Sequence, residues 1–73
     1  MKREIYIRLL GEGSDVWRPV AADGISESVY RIKEAPIPGT ESWEFQPGMV
    51  VKVERRGFAD KKDGLFAIAL VQR

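Results

Sequence analysis

The chain has 73 residues, of which 44% are hydrophobic and 32% charged, with a net charge of +1. That suffices for one small domain, read here as 1–73, and is neither disordered in composition nor apolar enough for a membrane span. Cysteine and histidine are both absent, which excludes disulfides, thiolate metal sites, thiol nucleophiles and any side chain that titrates near neutrality without retuning.

Residues 3 to 10 alternate, with Ile5, Ile7 and Leu9 on one face and Glu4, Tyr6, Arg8 and Leu10 on the other. This period of two predicts a half-buried strand. Glu4 and Arg8 interrupt what would otherwise resemble a signal segment, so the expected location is cytoplasmic. A second strand is expected over 16–22. Pro19 cannot donate to a ladder and belongs at a sheet edge or a bulge, and a bulge would turn both Trp17 and Val20 inward, leaving Arg18 outside. Asp23-Gly24 predicts a two-residue hairpin turn. Ile25, Val29 and Ile32 fit a helical spacing as well, but the β-branched and aromatic run Val29-Tyr30-Arg31-Ile32 favours a strand over 28–33.

The segment from Glu34 to Gly48 carries the loop. Pro47-Gly48 predicts a type II turn into a strand over 49–56, with Met49, Val51 and Val53 inward. A hairpin through 57–64 leads to a last strand over 65–71. That strand is apolar on both faces, and the bulkier set, Phe66, Ile68 and Leu70, is expected to face the core. Five short strands predict an all-β fold, a small five-stranded antiparallel barrel, because closure removes unpaired edges.

The run Pro47-Gly48-Met49-Val50-Val51-Lys52-Val53, with the order of elements, resembles the Src-homology-3-like barrels. Three blocks, Asp15-Val16-Trp17-Arg18-Pro19-Val20, Val29-Tyr30-Arg31-Ile32 and Trp43-Glu44-Phe45-Gln46-Pro47-Gly48, resemble a set of small uncharacterised bacterial proteins. The resemblance spans most of the chain and implies the barrel, but carries no function with it.

Two segments are candidates for contact. Residues 52–62 hold Lys52, Arg55, Arg56, Lys61 and Lys62 against Glu54 and Asp60, a local excess of +3, with Phe58 at the centre. Cations beside an aromatic suit a protein partner or single-stranded nucleic acid, although the preferred reading is a solvated hairpin tip whose charges keep a strand edge from pairing. Residues 34–48 hold Glu34, Glu41 and Glu44 and no base, a local charge of −3. Trp43 and Phe45 are expected to latch this loop over the barrel, with an exposed peptide groove at Trp43 as the other reading. Arg18 is a candidate to pair with a loop carboxylate such as Glu41 or Glu44, and a candidate ligand contact in its own right. These two carboxylates fall on opposite faces of an extended segment and do not make an acid–base pair. The expected function is a non-catalytic binding or adaptor module with a protein partner. Weak single-stranded nucleic-acid binding by the 52–62 hairpin is the alternative. No cofactor, metal or membrane is expected, and the chain is expected to be a monomer or weak homodimer, with the small residues Ala67 and Ala69 on an outer strip.

Overall fold

The computed structural model describes residues 2–11, 16–57 and 63–72. Five strands appear in chain order: β1 (Lys2–Arg8), β2 (Trp17–Ser26), β3 (Val29–Ile32), β4 (Val50–Gly57) and β5 (Asp63–Gln72). Sequential neighbours pair antiparallel, and β5 meets β1 in a short parallel contact at Tyr6 and Phe66, so that the strands form a closed ring of hydrogen bonds. No helix among the described residues is long and apolar enough to cross a membrane.

Alternation in β1 is as expected: Ile5, Ile7 and Leu9 are buried and Tyr6 lies on the outside, half-buried. Ala22, Tyr30, Ile32, Val51, Val53, Leu65 and Ala67 supply the rest of the interior from the other strands, and Trp43 and Phe45 close it from the loop. The loop is therefore a latch. Trp43 forms an isolated bridge with Leu9, held by Leu10 N–H to Ser42 O (2.7 Å) and Glu44 N–H to Arg8 O (2.9 Å).

The turn at Pro47-Gly48 forms as expected. Gly48 has φ of +91° and Met49 N–H donates to Gln46 O at 3.1 Å, the geometry of a type II turn with glycine at its third position.

Three expectations fail. Asp23 and Gly24 are not a turn, because β2 continues through them to Ser26 and the chain reverses at Glu27-Ser28. Their pairing with Arg31 and Tyr30 gives backbone bonds that an earlier turn would forfeit, and an irregularity between Gly24 and Ser26 leaves Ile25 exposed. No bulge occurs at Pro19, because β1 and β2 pair without a register shift from Lys2–Asp23 to Arg8–Trp17. Residues opposite one another share a face. Arg18 therefore lies with Ile7 on the inner face and Trp17 with Arg8 on the outer, the reverse of the expected assignment.

The core face of β5 is also inverted. Leu65 and Ala67 point inward, Phe66 is buried on the outer side, and Ile68 and Leu70 are exposed. The interior opposite β5 is already filled by Ile5, Ile7, Val51 and Val53, so a small residue fits at Ala67 where an isoleucine would overpack. Phe66 is covered from outside instead, stacked on Tyr6 at 5.0 Å between ring centroids and met edge-on by Trp17 at 4.8 Å.

Candidate functional site

Arg18 reaches the mouth of the ring because it is an inward-facing residue near the start of β2, where the strand runs out beneath the loop. There its guanidinium forks onto Glu41: Nε donates to Oε1 at 2.6 Å and Nη2 to Oε2 at 2.5 Å. The Trp43 indole Nε1 donates to the same Oε1 at 3.0 Å. Glu41 is presented by a tight turn in which its N–H donates to Pro38 O at 3.0 Å, and Gln46 Nε2 donates to Trp43 O at 3.2 Å. Arginine suits this place because its planar fork matches both carboxylate oxygens at once. The bonds from Arg18, then the bond from Trp43, hold the Glu41 carboxyl below its ordinary range. The Arg18 guanidinium is correspondingly raised, through its bond to Glu41 and then the attraction of that charge.

Beside this triad lies a groove of about 440 Å³, lined by Arg18–Ala21 of β2, Lys33–Pro36, Pro38 and the edge of Trp43. Its floor is an unfinished strand edge. Leu9 N–H donates to Val16 O at 2.8 Å. Hydrogen-bonded pairs of an antiparallel ladder recur at every second step, which makes Ile7–Arg18 and Ile5–Val20 bonded pairs and Tyr6–Pro19 a non-bonded one. The missing N–H of Pro19 thus falls on the edge away from β1, where proline costs β2 nothing. On that edge β3 stops at Ile32, and the last tie is Lys33 N–H to Ala21 O at 3.1 Å. The carbonyl of Pro19 and the N–H of Ala21 face the groove with no backbone partner among the described residues.

The predicted contact residues therefore divide. Arg18, Glu41 and Trp43 come together, whereas Glu44 is exposed on the other side of the loop, in a shallow groove with Arg8, Trp17, Arg56, Ala67 and Ile68. Arg55 and Arg56 do not share a face. Arg55 lies opposite Leu65 near Arg3, Glu27 and Tyr30, and Arg56 is on the outer face, where its Nε donates to Glu54 Oε1 at 2.8 Å. Phe58, Lys61 and Lys62 lie outside the described residues.

The residues that sequence reasoning missed are those of the open edge, Val20 and Ala21, and the outer aromatic group Tyr6, Trp17 and Phe66. Pro19 was the available signal for the edge. For the aromatic group the signal was the outward phase of Tyr6, but β5 had to be placed beside β1 before Phe66 joined it. No family model matches the chain, and neither a curated protein nor a solved structure shows a significant similarity to it.

Proposed function

We propose that the protein is a non-catalytic binding module of the Src-homology-3-like kind, and that its partner is an extended segment of another protein that adds as a short strand to the open edge of β2. The observation that supports this is the edge of β2 along the groove beside Lys33–Pro38, where the Pro19 carbonyl and the Ala21 N–H have no backbone partner among the described residues. Strand addition draws affinity from main-chain bonds and specificity from pockets for alternate side chains. The prolines at 19, 36 and 38 and the Trp43 edge offer such pockets. The Arg18–Glu41–Trp43 bonds serve to fix the loop wall before a ligand arrives, which lowers the ordering cost of binding. The likeness to Src-homology-3-like barrels is supported by the Pro47-Gly48 turn leading into the valines of β4.

The test starts from peptides selected on the purified protein out of a random display library. Addition at β2 shifts the amide resonances of Arg18, Val20, Ala21, Lys33 and Glu34 and leaves β4 unmoved. Ala21→Pro removes the edge N–H without touching the bonds to β1. It should weaken binding by about tenfold, the equivalent of one good hydrogen bond at about 1.4 kcal/mol. Peptides that bind Ala21→Pro as well as they bind the natural sequence contradict the reading. Weak single-stranded nucleic-acid binding by residues 52–62 has less support, since Arg55 and Arg56 point apart. Shifts at those two residues with a labelled single strand at about 50 mM salt, lost at about 200 mM, would favour it.

A further inference from the structure

The ladder between β2 and β3 stops on a half-made pair, and the form of that stop restricts what can be added to it. Pairing runs through Arg31–Asp23 and Ile32–Ala22, so the next residue, Lys33, stands opposite Ala21 and donates its N–H to Ala21 O at 3.1 Å. The return bond from Ala21 N–H is missing, and no backbone N–H among the described residues reaches Pro19 O, because Lys33–Pro36 leave the ladder to form the wall of the groove. An acceptor at 19 and a donor at 21 are left, with Lys33 in the place opposite 21.

An antiparallel strand would set one residue opposite Pro19 to donate to it, and the residue two places earlier opposite Ala21 to accept from it. Lys33 already fills that second place. Such a strand would satisfy Pro19 O alone and would cover Ala21 N–H without giving it a partner, which costs binding energy. In a parallel strand one residue, the one beside Val20, donates its N–H to Pro19 O and accepts from Ala21 N–H with its own carbonyl. Both groups are met at once. A residue following it in the strand would again fall on Lys33, so a chain that ends here avoids the collision, and its carboxylate is a stronger acceptor for Ala21 N–H than an amide carbonyl.

We propose, on the basis of strand addition at β2, that the partner's segment is captured by its free C-terminus. It runs parallel to β2, with the N–H of its last residue on Pro19 O and its terminal carboxylate on Ala21 N–H. Val20 faces inward opposite Ile5 and packs against the core, and residues paired across a ladder share a face. The last side chain therefore enters the groove beside Val20, where Trp43 and Pro38 also line it, and an apolar C-terminal residue fits there. Pro19 has no N–H to give the residue two places earlier, which concentrates main-chain recognition on the terminus.

Two display libraries of random peptides, one with free C-termini and one joined to its carrier through the C-terminus, are selected on the purified protein. Binders are expected from the first alone, with an apolar last residue. One of them is then made as the free acid, as the C-terminal amide and with one alanine added at the end, changes that leave the protein itself untouched. Amidation should weaken binding by about tenfold and the added alanine by more than that. Peptides that shift the Arg18, Val20 and Ala21 amides and lose affinity on Ala21→Pro, yet bind equally well in all three forms, overturn capture by the C-terminus and leave strand addition at β2 standing. Binders indifferent to Ala21→Pro overturn both, as does a protein that selects nothing from either library.

Discussion

A carboxylate that accepts three hydrogen bonds, two from Arg18 and one from the Trp43 indole, loses all three partners' preference for its charged form when it takes up a proton. Glu41 is held below its ordinary value of 4.5, with the Arg18 bonds as the first cause and the Trp43 bond as the second. The sign of the linkage follows. In the unfolded chain Glu41 titrates at its ordinary value, so the stability it contributes is fully present above that value and is lost as pH falls through the lower folded one. The Trp43 indole N–H reports this directly. Its resonance should hold steady from neutrality down past pH 4.5 and move only below it, and Glu41→Gln should abolish the step. A midpoint at or above the ordinary value would show that the fork does not persist in solution. Arg18 illustrates how little a residue's neighbours in sequence reveal. Its pairing with an acid of the loop was legible from charge, but its inward orientation was not, because Trp17 beside it is the larger apolar group and competes for the same side.

Among the elements, the Pro47-Gly48 turn carries the chain from loop to β4, with Gly48 N–H bonded to Ile32 O at 2.8 Å and Ile32 N–H to Met49 O at 2.9 Å. Only glycine adopts φ of +91° without strain, and a Cβ at 48 would stand 2.8 Å from Glu34 Oε2. That oxygen ends a flexible side chain and can move, so the strain of the backbone remains as the main cost. Gly48→Ala should lose about 1 to 2 kcal/mol, read as a lower urea midpoint at unchanged slope. Gly39→Ala, in open space with no such φ, is the control and should change stability by less than about 0.5 kcal/mol. This turn was readable because proline and glycine act through their own backbones. Asp23-Gly24 was misread because its turn preference is weak beside the ladder bonds that β3 supplies to β2. In β5 both alternate sets are apolar, and a period of two fixes which residues share a face without fixing which face is inside.

For the molecule as a whole, the ring is small and the loop supplies part of its interior, since Trp43 and Phe45 are buried in one cluster with residues of all five strands. A domain of this size has a net stability of roughly 4 to 11 kcal/mol. Trp43→Ala removes a buried indole, at a cost of about 3 to 5 kcal/mol. The variant should therefore be marginal, with near-ultraviolet circular dichroism lost at temperatures where the natural sequence keeps it. A well-folded Trp43→Ala protein would mean that the ring closes without its latch. Sequence alone determined that the chain is all-β, that Ile5, Ile7 and Leu9 face inward, that Pro19 lies at an edge or a bulge and that Trp43 and Phe45 latch the loop. Each of these rests on a property local to a few residues: alternation, a missing N–H, or a large ring in a short chain. Tertiary structure alone decided the parallel contact that closes the ring, the inward face of β5, the separation of Arg55 from Arg56, and which loop acid Arg18 meets, with the Trp43 indole on the same oxygen. Those depend on which strand lies beside which and how much space it leaves, and a linear pattern carries alternation along the chain but not the phase set by its neighbours.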